Sequence, residues 1–293
     1  MKGSRYDRVL KWMLWLTGLF LLVLLISLFS AGSTERLISG NGPRIGVVEI
    51  RGLLVDSERV VRQLDRFSRR SDIDAILVRV DSPGGTVAAS QEIYEKIRKL
   101  RDDSDKPVVA SMGTVAASGG LMVSLGADTI MANPGTATGS IGVILDYPVA
   151  EGLMEKIGLQ MEVIKSGTLK DVGSPYRQST SEDRESLQAV IMDLHQQFTE
   201  VVALERGLPM ERVRELATGA VFTGRQALDL GLVDLLGTYE DALNLAGALT
   251  GNLERPIPVK PVERERFPLL KLLLGDYADQ SWATQVLPQY RMR

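Results

Sequence analysis

Between residues 44 and 250 the apolar positions follow two alternating rhythms. Short β-branched runs at 45–50, 75–80 and 108–111 are each followed by a turn and then by a helical period, which predicts strand–helix repeats. The first predicted helix, 57–70, puts Val60, Val61, Leu64 and Phe67 on one face, and the second, 87–100, does the same with Ile93, Tyr94 and Ile97. Further short runs at 129–131, 141–145 and 161–164 predict additional strands. A long helix is predicted over 182–205, with Thr180 and Ser181 as caps and Asp183 and Glu185 in its first turn. Such alternation over some 200 residues predicts an α/β fold around a mostly parallel, buried sheet. No internal linker interrupts 44–250, so one domain is expected there.

The flanks read differently. Residues 12–29 (WMLWLTGLFLLVLLISLF) carry no charge. As a helix at 1.5 Å per residue they would span about 27 Å, close to the ~30 Å hydrocarbon core of a bilayer. Lys2, Arg5, Arg8 and Lys11 precede them against one acidic residue, Asp7, so the expected topology keeps residues 1–11 cytoplasmic. Trp12 and Trp15 suit the headgroup boundary. A cleaved signal with Ser30-Ala31-Gly32 at its end is the alternative, but the apolar region of a signal usually runs only ~7–15 residues. The expectation is therefore a single-pass anchor in the inner or plasma membrane. It is followed by a linker, 30–43, and by a domain on the outer (periplasmic or extracellular) side. After Gly251 the texture changes again: Pro256, Pro258, Pro261 and Pro268 among charges read as an extended arm, 251–293. Within it, 269–274 (LLKLLL) is too short to cross a membrane and suits docking on a groove or another subunit.

Composition narrows the chemistry. The 293 residues include no cysteine, which excludes disulfides, a thiol nucleophile and cysteine-ligated metals. The single histidine, His195, excludes a multi-histidine metal centre within one chain. A net charge of −3 offers no basic footprint for nucleic acid. Ser, Thr, Lys, Asp, Glu and backbone amides remain, and no metal or cofactor is called for.

Three glycine- and serine-rich turns follow predicted strands. Asp81-Ser82-Pro83-Gly84-Gly85 can aim backbone N–H groups at a ligand, either a phosphate or an oxyanion, or serve only as a tight turn. Residues 113–120 (GTVAASGG) hold Ser118 among residues too small to shield it, just before a segment able to start a helix. A serine there can be a nucleophile, or a cap. Residues 135–143 (GTATGSIGV) are dense in hydroxyls, and Ile141 and Val143 indicate that this turn is partly covered.

A nucleophilic Ser118 needs a proton acceptor. His195 lies in MDLHQQF, mid-helix, where a packed or solvated role is expected. Lys170, in the loop 165–175 (KSGTLKDVGSP), is the other choice, although many such lysines are ordinary surface groups. An unperturbed lysine is neutral in only about one molecule in 2,500 at pH 7. Lowering its pKa by ~3 units makes the neutral base plentiful and costs about 4 kcal/mol of charged-state stability. Burial beside Leu169 and Val172 would supply such a shift.

The runs DSPGGTV, VAASGG, TGSIGV and SGTLKDVGSP, in this order and spacing, resemble the signal peptide peptidase A family, membrane-anchored proteases with a Ser/Lys dyad. The resemblance covers roughly 44–250 plus the anchor, and extends to GAVFTG (219–224) and ALDLGLVD (227–234). It implies a twisted α/β spiral like the Clp protease and crotonase superfamily. By analogy Ser118 is the nucleophile, Lys170 the general base and Ser140 the hydroxyl that orients the lysine amine. The backbone N–H groups of Gly85 and Gly119 form the oxyanion hole. The chain resembles the short, single-repeat form, which implies a ring-shaped homo-oligomer. The implied substrates are hydrophobic peptides such as cleaved signal-peptide remnants. Leu121-Met122 stands where many relatives carry aromatics. Two other classes stay open at this stage: a crotonase-type acyl-CoA hydratase or isomerase using the same glycine-built hole, and a non-catalytic membrane scaffold.

Overall fold

A computed structural model describes residues 11–19, 22, 41–261 and 289–291. The chain divides into two units, 1–41 and 42–293. In the first, residues 11–19 and 22 are helical, with Trp12, Trp15 and Leu16 exposed. Half of the predicted anchor, 12–29, and all of segment 269–274 lie outside the described residues. Among the described residues, no helix is long and apolar enough to cross a membrane.

The second unit begins with β1 (Arg44–Arg51), α1 (Glu58–Ser68), β2 (Ala75–Ser82), β3 (Gly84–Thr86) and α2 (Val87–Asp103). Then come β4 (Val108–Ala117), α3 (Gly119–Ser124), β5 (Thr129–Ala132), β6 (Ala137–Gly139) and α4 (Glu151–Lys156). The long α5 (Ser181–Arg206) precedes α6 (Met210–Leu216), β7 (Val221–Thr223), α7 (Gly224–Asp229), β8 (Leu235–Leu236) and α8 (Tyr239–Leu249). The last two strands are β9 (Ile257–Val259) and β10 (Gln289–Arg291).

The main sheet runs β7-β6-β4-β2-β1-β9, with β5 branching from β4 and β8 pairing β5. All its pairs are parallel except β6 with β7, so the sheet is mostly parallel, as the sequence pattern predicted, with one antiparallel edge. Alternation along β1 decides which helix covers which face. Val48 and Ile50 join the core under α1 and α2, and Ile45 and Val47 pack with Ala242, Leu243 and Ala246 of α8. Buried on both faces, β2 reads as a nearly unbroken apolar run. Helix α1 seats Phe67, fully buried, directly over Gly46, where a Cβ would stand 2.7 Å from the ring.

Two predicted strands do not form. Residues 161–164 lie exposed with no neighbouring strand, and an unpaired strand leaves its backbone groups to water alone. Residues 141–145 form no strand, only a single bridge at Ile144, because the pairing segment is 137–139 and the backbone turns at Ser140 (φ 52°). The proline-rich arm contributes β9, which extends the sheet beside β1 through Arg44↔Ile257.

Phe67→Ala removes the ring that covers the middle of β1. The expected loss is about 3–5 kcal/mol, read as a lower urea midpoint at unchanged m-value.

Candidate active site

The site is built at the C-terminal end of β4. That strand runs past the predicted 108–111 as far as Ala117, because two buried hydroxyls of the neighbouring segment hold it. Thr136 Oγ1 donates to the Gly113 carbonyl and Thr138 Oγ1 to the Ala116 carbonyl, both at 2.7 Å. Ser118 then joins the strand to α3 with φ 55° and ψ −114°, a conformation that a residue with a Cβ adopts at a cost of about 1–3 kcal/mol. Its N–H donates to the Gly139 carbonyl at 2.8 Å, and its carbonyl accepts the first helical bond from Met122 N–H at 2.9 Å. A serine on a strained strand-to-helix turn, the hydroxyl thrown clear of both elements, is the geometry of a nucleophile elbow. The hydroxyl of Ser118 is buried and has no hydrogen-bond partner. A buried polar group left this way is a standing cost, kept where chemistry needs it free.

Two glycines stand beside it for steric reasons. A Cβ on Gly119 would lie 2.4 Å from Ser90 Oγ and 3.2 Å from the Gly85 nitrogen. A Cβ on Gly85 would collide with the Leu54 carbonyl at 2.0 Å. The backbone of Gly119, which follows Ser118, thus lies closely packed against Gly84 and Gly85. Ser82 supports this turn: its hydroxyl donates to the Gly52 carbonyl at 2.6 Å and accepts from Gly84 N–H at 3.1 Å. Ser90 escaped the sequence reading. It is a small buried residue inside α2 whose hydroxyl bonds the Thr86 carbonyl at 2.9 Å, and only its contact with Gly119 marks it.

One edge of β3 pairs with Leu54, through Leu54 N–H to the Gly84 carbonyl at 2.9 Å and Thr86 N–H to the Leu54 carbonyl at 2.7 Å. The other edge carries β10, antiparallel, with Tyr290 opposite Gly85. An extended segment of the chain's own C-terminal arm therefore lies on the strand that bears the candidate oxyanion amide.

Ser140 is buried next to this centre. Its N–H donates to the Ala220 carbonyl at 2.7 Å, and the preceding carbonyl is the one that holds Ser118. The expected coverage of its turn is confirmed, with Thr136, Thr138 and Ile141 buried as well. Leu121 and Met122 are fully buried in the core.

Lys170 is not brought to Ser118 within this chain. It is exposed, on a turn closed by its own N–H to the Gly167 carbonyl at 3.2 Å. The burial expected beside Leu169 and Val172 is absent at this position in the single chain. The loop around it is nonetheless ordered by charge. Asp171 accepts from Arg177 Nε at 2.9 Å and Nη2 at 2.8 Å, and from Lys165 Nζ at 2.6 Å. Arg177 also bridges to Asp183, which closes a capping box with Thr180 at the start of α5. The Arg177 hydrogen bonds, then Lys165, hold the Asp171 carboxyl well below the usual carboxylate range. The Asp183 carboxyl is lowered by Arg177 first and then by the Thr180 backbone N–H. His195 lies on α5, half-buried, with Nε2 sequestered and unpartnered. Among the described residues no cluster suits a metal ion.

Two outcomes follow from this geometry. Gly119→Ala forces a methyl onto Ser90 and the Gly85 nitrogen, so about 1–3 kcal/mol of stability and the reaction of Ser118 with a serine-directed label are expected to be lost together, checked by thermal melting and labelling. Both lowered carboxyls favour the ordered loop above the ordinary carboxylate range near pH 4, and their contribution vanishes as pH falls through their depressed values. Hydrogen exchange across 165–183 is therefore expected to be slow at pH 7 and to accelerate about tenfold in Arg177→Ala.

Comparison with known proteins agrees with the geometry. A family model described as peptidase family S49 matches residues 100–252, and one described as Clp protease matches 55–138. The slr0021 protein of Synechocystis sp., which bears a provisional protease name, is 44% identical over 234 residues, 79% of this chain and 83% of its own. The chloroplastic serine protease SPPA of Arabidopsis thaliana is 34% identical over 244 residues, 83% of this chain and 34% of its own. Protease 4 of Haemophilus influenzae is 33% identical over 225 residues, 73% of this chain and 36% of its own. The chain thus spans about a third of the length of these last two relatives. A strained serine beside paired glycine amides on a Clp-protease-like α/β core, matched over more than half its length, means that this chain belongs to peptidase family S49.

Proposed function

We propose that this chain is a membrane-anchored serine endopeptidase that cleaves extended hydrophobic peptides, such as cleaved signal-peptide remnants, on the outer side of the inner or plasma membrane. The observation that carries the reading is the buried, unpartnered Ser118 hydroxyl beside the Gly85 and Gly119 amides. The seating of β10 supports a peptide as substrate, since an extended backbone already pairs antiparallel with Gly84–Thr86. A thioester substrate would not explain that pairing.

In the proposed cycle, neutral Lys170 takes the Ser118 proton as Oγ attacks the scissile carbonyl. The Gly85 and Gly119 N–H groups stabilise the oxyanion, and the lysine ammonium then protonates the leaving amine. Water activated by the same amine releases the acyl group. Ser140 orients the amine. This chemistry requires Lys170 to be buried, and assembly is the step that would bury it. The segment carrying it exposes Ile157, Leu159, Met161, Val163 and Ile164, an apolar stretch that a ring of copies would cover. The exposed apolar residues of the N-terminal helix, Trp12 to Leu16, suit a bilayer in the same way.

Ser118→Ala and Lys170→Ala are each expected to lower hydrolysis of a fluorogenic apolar peptide by at least about 10³-fold, with circular dichroism and assembly size unchanged. A fluorophosphonate is expected to label Ser118, located by mass spectrometry. Hydrolysis retained by either variant would reject the dyad.

A further inference from the structure

A cavity of about 570 Å³ opens where β3 passes into α2. One wall is residues 55–58, directly after Leu54, which pairs with one edge of β3. The other is Thr86 and the first turns of α2, with Leu194 of α5 beside them. The lining is of two kinds. Val55, Val87 and Leu194 are apolar, whereas Asp56, Glu58 and Glu92 bring three carboxylates to an exposed rim. Among the described residues that line it there is no lysine, arginine or histidine. Local bonds hold the rim in place. Glu92 accepts from the buried Ser57 hydroxyl, Asp56 accepts from Glu58 N–H at 2.9 Å, and Glu58 pairs with Arg62 at 2.6 Å.

The register of β10 tells which part of a bound peptide approaches this cavity. That strand runs antiparallel to β3, with Arg291 opposite Gly84, Tyr290 opposite Gly85 and Gln289 opposite Thr86. Passing from Gly85 to Thr86 is therefore passing toward the N-terminus of the paired strand. Thr86 both pairs with that strand and lines the cavity. A peptide lying as β10 lies, its scissile carbonyl at the Gly85 N–H, carries the residues before the cleaved bond toward the cavity.

We propose that this cavity is a specificity subsite for a lysine or arginine side chain on the N-terminal side of the cleaved bond. Under the protease reading on which this rests, the apolar substrate carries one preferred charge. Lysine and arginine match both kinds of wall, because apolar surface covers the aliphatic stem while the charged head stays at the wet rim. An apolar side chain gains nothing from Asp56 and Glu92, and an acidic one is repelled by them. A secretory leader has the matching order, with positive charge preceding the apolar run. A cut within that run leaves the cation on the side of the bond that faces the cavity. The carboxylates choose the substrate and take no part in making or breaking bonds.

The test uses full-length wild type, Glu92→Gln, the double variant Asp56→Asn with Glu92→Gln, and Glu92→Lys. Each receives fluorogenic apolar peptides that differ in one residue, lysine, norleucine or glutamate, moved in turn along the positions before and after the cleaved bond. The peptides are N-acetylated, which removes the terminal ammonium as a rival cation, and mass spectrometry fixes the bond cut. The readout is the ratio of kcat/KM between peptides on one preparation, so a change in overall activity cancels. Wild type is expected to favour lysine over norleucine about fivefold at one position before the cleaved bond, and less at high salt. Glu92→Gln should lower that ratio, the double variant should bring it to about one, and Glu92→Lys should turn the preference toward glutamate. Should the double variant fail to fold, the reversal in Glu92→Lys decides. Equal kcat/KM for the lysine and norleucine peptides in wild type overturns the inference. So does a lysine preference that survives in the double variant or arises only after the cleaved bond. Wild type that cleaves none of these peptides, or Ser118→Ala that cleaves them as fast, would instead reject the protease reading itself.

Discussion

Everything at the centre of this molecule depends on holding one serine in a backbone conformation it would not choose. Ser118 sits at φ 55° and ψ −114° between β4 and α3. A free chain would relax that turn for a gain of about 1–3 kcal/mol. The strain persists because both sides are clamped. The Thr136 and Thr138 hydroxyls tie β4 to the neighbouring backbone, the Gly139 carbonyl takes the Ser118 N–H, and fully buried Leu121 and Met122 anchor α3 in the core. The clamp throws the hydroxyl into a space with no partner, and it leaves so little room that Gly85 and Gly119 can carry no side chain. The free hydroxyl and the two bare glycines beside it are thus consequences of a single packing constraint.

Most of the scaffold was legible in the sequence because its signals are local or strongly periodic. The strands at 45–50 and 75–80 and the helices at 57–70, 87–100 and 182–205 appear within a few residues of their predicted limits. The failures share a cause. Residues 161–164 have the composition of a strand and no neighbour to pair with. Residues 113–117 look like part of a turn, yet they continue β4 because Ser82 and Ala137–Gly139 flank them. Pairing partners distant in sequence override propensity in both directions.

The site divides along the same line. Ser118, Gly119, Gly85 and Ser140 were legible as small residues after strands, and at the two glycines close backbone approach forbids a side chain. Ser90 was not, since one serine inside an amphipathic helix carries no signal until Gly119 is packed on it. Lys170 is a different case. Its motif was legible, but its surroundings in one chain are water and an ion-pair network, Lys165–Asp171–Arg177–Asp183, that shapes the loop without burying the amine.

That division has an energetic logic. An amine held permanently in a dry cavity costs the folded chain several kcal/mol, roughly 1.4 for each unit by which its pKa is lowered. A chain that keeps the lysine solvated until copies assemble avoids carrying this cost as a monomer, and it also lacks a competent base before assembly. The ion pairs around Asp171 suit such an arrangement because they fix the shape of the loop from its polar side and leave Ile157, Leu159, Met161 and Ile164 facing outward to be covered. Under the proposed chemistry, the burial that would stabilise the ring and the desolvation that would activate the base are one event, so proteolytic activity would arise only where the enzyme is assembled.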